Sequence, residues 1–127
     1  MTIDEVQQII SYAYPKIQKY YGKGKLSIPR IDTSYKNTYA MHSGEPEAQG
    51  EHDATSIAEY YEGTIYLYLP NITNEEELLR SIIHEYTHYT QDLELLAKYR
   101  KMYSYDEDPN EIEAHKNEEN WEMFSQK

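Results

Sequence analysis

Glu75-Glu76-Glu77-Leu78-Leu79-Arg80-Ser81-Ile82-Ile83-His84-Glu85-Tyr86-Thr87-His88 is the stretch from which the fold and the chemistry of this 127-residue chain are read. Leu78/Leu79, Ile82/Ile83, Tyr86, Tyr89, Leu93, Leu96 and Ala97 recur at helical spacing, which predicts one helix over 74–100. Thr73 with Glu76, or Asn74 with Glu77, offers a capping box at its start. The acidic first turn suits the positive end of the helix dipole.

Residues four apart on a helix lie about 40° apart and one turn up. His84 and His88 therefore project from one face, where two imidazoles can share a cation. Glu85 is turned away by about 100°, which suits a general base beside a metal rather than a ligand. The chain has no cysteine, so any metal is held by His, Asp or Glu. Zinc accepts such donors and tolerates an open fourth position. A chance match to this five-residue pattern in so short a chain has odds of roughly one in a few hundred.

The third ligand has to come from elsewhere. A metzincin requires Gly at 91 and His at 94, where this chain has Gln91 and Glu94. Glu94 falls on another side of the continuing helix. A last helix over 110–124 supplies Glu111 and Glu113, on nearly opposite sides; Ala114 shares a face with the residue three before it.

His84-Glu85-Tyr86-Thr87-His88 followed by Glu111-Ile112-Glu113-Ala114 resembles the gluzincin pattern of zinc peptidases. The resemblance implies zinc held by His84, His88 and Glu111, with Ala114 as the small residue that lets two helices approach. Glu113 stays as the competing ligand. It implies Glu85 as general base and a Tyr or His steadying the oxyanion, for which Tyr103 and Tyr105 are the candidates. Gluzincins often carry an acid at the next position to support a histidine ligand; here that position is His115, a departure that leaves the supporting role open. The resemblance spans residues 64–124. It includes the strand before the active-site helix, which in that family receives extended peptides by edge pairing.

The rest of the chain frames this site. Residues 2–21 read as a helix with Thr2 and Glu5 as its capping box; Pro15 is expected to kink or split it, and Gly22 and Gly24 to end it. Residues 25–31 read as a short edge strand because of Pro29, and 34–41 as a second strand. Residues 42–53 read as a polar loop. Residues 55–60 and 64–69 flank Tyr61-Glu62-Gly63 as a hairpin, closed by Pro70. Residues 101–110 read as a loop. The expected class is α+β in one domain, 1–127: an N-terminal helix, a small, mostly antiparallel sheet, an active-site helix and a C-terminal ligand helix, zincin-like in arrangement.

The formal charge of −11 repels phosphate, so a nucleic-acid partner is not expected. The start carries no basic-then-apolar leader, and no apolar run approaches the ~20 residues of a membrane span. A cytoplasmic monomer acting on a peptide or protein substrate is the expectation. Fifteen tyrosines read as rings at the margin of the core with their hydroxyls in water. His42 and His52 read as surface residues. The expected function is zinc-dependent peptide hydrolysis; the alternative is a non-catalytic zinc-stabilised peptide-binding or regulatory module.

Overall fold

Thr2 caps the first helix as its sequence suggests: its hydroxyl accepts from the Glu5 N–H at 3.1 Å, and the Glu5 carboxylate accepts from the Thr2 N–H at 2.9 Å. Helix α1, Ile3–Tyr21, is not split at Pro15. The proline forfeits one backbone donor, while burial of Ala13, Tyr14 and Ile17 keeps that turn against the core. In this computed structural model, residues 1–48 and 55–126 are described; residues 49–53 of the expected loop, His52 among them, lie outside the described residues.

Strand β1, Arg30–Asp32, is followed by helix α2, Thr38–Ser43, where a second strand was expected. Capping chemistry overrides the alternating pattern there. The Asn37 side chain accepts from the Ala40 N–H at 2.8 Å, and Gly44, at φ +83°, closes the other end. Strands β2, Ala58–Tyr61, and β3, Thr64–Leu67, form the expected hairpin. Glu62 (φ +47°) and Gly63 (φ +83°) make its two-residue turn, both in the left-handed region that matches strand twist.

The sheet order is β1-β3-β2, with β1–β3 parallel and β2–β3 antiparallel. It is therefore mixed, and only one of its two pairings is antiparallel. The class is α+β, as read. β3 is the central strand, paired on both sides, so it has no free edge for a substrate. The edge beside the site belongs to β2.

Helix α3, Glu75–Thr90, starts at Asn74, whose side chain accepts from the Glu77 N–H at 2.8 Å, and the Glu77 carboxylate reaches back to Thr73. It does not run to residue 100. Gln91 is extended, and Asp92 caps a new helix α4, Leu93–Met102, by accepting from the N–H groups of Glu94 and Leu95. A short 3₁₀ turn, Tyr105–Glu107, leads to helix α5, Pro109–Glu118, with Asp108 as its cap and Pro109 in the first turn. A further 3₁₀ turn, Trp121–Phe124, replaces the end of the expected last helix. No helix among the described residues is long and apolar enough to cross a membrane.

One core joins α1, β3 and α3 through Val6, Ile17, Ile65, Leu67, Ile82 and Ile83, among others. Several tyrosines depart from the expected wet margin. Tyr86 donates to the Gly22 carbonyl at 2.5 Å, Tyr89 to the Leu26 carbonyl at 2.6 Å and Tyr14 to the Pro29 carbonyl at 2.5 Å. These buried phenols tie the segment between α1 and β1 to the helices, satisfying carbonyls that would otherwise be orphaned. Tyr12, Tyr20, Tyr39 and Tyr61 are exposed, as read.

The same segment passes close to the end of α3. A methyl group on Gly24 would sit 2.8 Å from the Tyr89 carbonyl oxygen, and backbone yields poorly. Gly24→Ala should destabilise the fold by about 1–3 kcal/mol, seen as a lower Tm; an unchanged Tm would refute the close approach.

Candidate metal centre

His84 and His88 stand one turn apart on α3, with ring centroids 4.9 Å apart. Both are largely buried, as is Glu111 on α5. The Nε2 atoms of both imidazoles lie 3.0 Å from the same oxygen, Oε1 of Glu111. Glu111 reaches them because α5 crosses α3 at Ala114, which is fully buried and leaves room for the backbones to approach. The Asn117 amide donates to the Thr87 hydroxyl at 3.1 Å and fixes that crossing one turn further on. Glu113 is exposed and turned away, accepting instead from the Gln91 amide at 2.7 Å.

The outer ring nitrogens are already engaged. His84 Nδ1 lies 2.6 Å from Glu118 Oε2, and an ionised carboxylate only accepts, so the proton sits on Nδ1. His88 Nδ1 lies 2.7 Å from Gln91 Oε1. The Gln91 amide orientation is set by its nitrogen, which donates to the Asn110 carbonyl and to Glu113. Its oxygen therefore faces His88, and Nδ1 of that ring also carries the proton. In the neutral imidazoles both Nε2 lone pairs consequently point at the Glu111 carboxylate.

Two lone pairs facing a carboxylate oxygen repel it unless something positive stands among them. Two added protons suffice: burial opposes charge on His84, but its bonds to Glu111 and Glu118 overcome this and push its pKa up to about 10. His88 is raised as well, with burial opposing and Glu111 and Gln91 prevailing. Burial would raise Glu111, yet the two imidazoles hold it well below the usual carboxylate range. One divalent cation answers the same need. Donors about 2.1 Å from a tetrahedral ion lie roughly 3.4 Å apart, so the two 3.0 Å Nε2–Oε1 spacings need to open only slightly; the group compact enough to hold an ion is His84, Glu111 and His115, and His88 meets it through the shared Glu111 oxygen. His84 and Glu111 are common to both donor sets, so a divalent ion is compatible with the residues present.

Glu85 is set off from this group, as its place on the helix requires. Its Oε1 accepts from the Tyr60 N–H of β2 at 2.9 Å. Burial raises its pKa, with His84 and His88 partly opposing. The carboxylate lines a cleft of about 390 Å³ together with His84, His88, Glu111, Tyr105 and β2.

Of the two tyrosines proposed for the oxyanion, only Tyr105 reaches this cleft. Partial burial of its hydroxyl, and then the negative charges of Glu111 and Glu85, raise its pKa to about 12, so it stays a phenol with a proton to donate. Its oxygen lies 2.9 Å from His115 Nε2. Tyr103 packs edge-on against Tyr99 and does not line the cleft, because the extended residue ending α4 turns it outward. His42 is engaged by Glu59 at 3.2 Å, outside the centre.

Glu118 is the residue the sequence reading missed. It binds His84 Nδ1 and also His115 Nδ1, the latter at 3.0 Å. It thus takes the supporting role left open at position 115. The signal was available: Glu118 lies seven residues, two helical turns, beyond Glu111 and so on its face. His115 itself stacks near His84, with ring centroids 4.7 Å apart. Its donor atom falls with those of His84 and Glu111 into one group compact enough to hold an ion.

No known protein family, curated protein or solved structure matches the chain.

Carboxylates that orient histidine ligands are worth about 10–100-fold in metal affinity. Glu118→Ala should weaken zinc binding by about that factor in competition with a chromophoric chelator. Glu111→Ala should abolish stoichiometric zinc and Glu113→Ala retain it. The reverse order for the last two would reassign the third donor.

Proposed function

We propose that this chain is a zinc-dependent peptidase. The observation that carries the reading is the approach of His84 Nε2 and His88 Nε2 to one oxygen of Glu111, with a buried carboxylate, Glu85, beside them and outside the donor set. A purely structural ion has no use for that fourth group. His84, His88 and Glu111 would hold the zinc, which when bound supplies Lewis acidity toward water and a peptide carbonyl.

The protein groups have distinct tasks. Glu85, its pKa raised by burial, accepts a proton from the attacking water and passes it to the leaving amine nitrogen. Tyr105 donates its hydroxyl to the carbonyl oxygen as charge develops there; a rotation about its C–O bond moves the proton from His115 toward the cleft. Glu118 and Gln91 hold the two imidazoles in the tautomer that presents Nε2. The β2 edge receives the substrate backbone. Tyr60 turns its N–H outward to Glu85, and Ala58, two residues away, shares that direction and is the edge position left for a substrate strand.

A second reading has its own observation. His115 lies within the same compact donor group as His84 and Glu111, and four protein donors would close the ion to substrate, giving a zinc-stabilised binding module. In the peptidase reading His115→Ala keeps stoichiometric zinc; in the module reading it loses it.

The decisive substitution is Glu85→Gln, which keeps shape and removes the base. It should leave zinc content unchanged and lower hydrolysis of a mixed peptide pool by about 10²–10⁴-fold, followed by mass spectrometry of the products. Cleavage as fast as wild type would sink the mechanism.

A further inference from the structure

The cleft holds one guanidinium among its carboxylates. Glu59, Glu85 and Glu111 line it, and so does Arg100, from the last turn of α4. Each of those carboxylates has partners of its own. Glu59 takes His42 and the Tyr68 hydroxyl, Glu85 takes the Tyr60 N–H, and Glu111 takes the two imidazoles. Of the three arginines in the sequence, Arg30 pairs with Asp32 at 3.7 Å and Arg80 with Glu76 at 2.9 Å. Arg100 makes no ion pair among the described residues, in a chain with 23 acidic ones.

Its position follows from the break at Gln91. Had α3 run on unbroken, Arg100 would lie about 18 Å along the axis from His88. The extended Gln91 and the Asp92 cap redirect the chain, and Arg100 instead lines the same cleft as His88. Guanidinium stays charged at all ordinary pH and its planar fork matches a carboxylate with two parallel hydrogen bonds. With the cleft's own carboxylates engaged, its donors face whatever enters.

We propose that Arg100 selects peptide substrates by binding a carboxylate, supplied by an Asp or Glu side chain or by the C-terminus. This rests on the peptidase reading of the same cleft for its substrate class. The protein's net charge of −11 repels acidic peptides from most of the surface, so the carboxylate docks at this guanidinium, beside the metal group, and sets the register of the chain against β2.

The test uses the zinc-loaded full chain carrying Glu85→Gln, which binds without turnover, and fluorescein-labelled peptides read by anisotropy. One peptide pair differs in Glu against Gln; a second pair differs in a free against an amidated C-terminus. The carboxylate member of at least one pair should bind about tenfold tighter, and which pair responds identifies the source. Adding Arg100→Ala should bring that ratio to about one, while Arg100→Lys retains part of it as a salt-sensitive preference. No preference before the Arg100 substitution, or the same preference after it, overturns the proposal. Cleavage by the wild-type chain is scored separately. Binding preference without cleavage removes the peptidase reading and leaves carboxylate recognition standing; cleavage without preference does the opposite.

Discussion

Two imidazole nitrogens aimed at one carboxylate oxygen are the constraint around which this protein is organised. His84, His88 and Glu111 come from two helices that meet 23 residues or more apart in sequence. Left alone, they would repel. They stay together because both imidazoles are held from behind, by Glu118 and by Gln91, and because the position between them accepts positive charge. The rest of the chain either delivers those atoms or keeps them from turning away.

Delivery depends on helix packing. Ala114 has only a methyl group to hold α5 off α3, and the Asn117–Thr87 bond fixes their axial offset. Sheet and base are joined as well, since the Glu85 carboxylate reaches the edge strand's Tyr60 N–H. A shift of β2 is thus felt at the carboxylate, and the sheet edge and the His84–His88–Glu111 group behave as one mechanical unit. Gln91 has a similar double role. It ends α3, and its side chain steadies His88 while binding α5 at Asn110.

Much of this was readable from residue pattern. The helical period located α3, the i, i+4 spacing put His84 and His88 on one face, and the small residue at 114 favoured Glu111 over Glu113, which is the carboxylate that meets them. The hairpin at Glu62-Gly63 was plain from turn chemistry. What escaped had local causes. Leu93, Leu95 and Leu96 prolonged the apolar pattern past Gln91, hiding a break that the Asp92 cap imposes. At Thr38–Ser43 the cap at Asn37 outweighed strand-like alternation. The strand order could not be read at all, because a parallel pairing between β1 and β3 depends on contacts far apart in sequence; that is why β3, rather than β2, was expected beside the substrate. Glu118 was missed for a different reason. Attention rested on the position next to Ala114, although a carboxylate one turn further serves the same imidazole.

The phenols of Tyr14, Tyr86 and Tyr89 bind backbone carbonyls of residues 22–29 rather than side chains. Such anchors are indifferent to which amino acid supplies the carbonyl. Apart from the crowded Gly24, Gly22 at φ +83° and the fully buried Pro29, that connecting stretch is free to drift in composition over evolutionary time while its path stays the same. Divergent relatives would then keep the three tyrosines and vary the segment they grip.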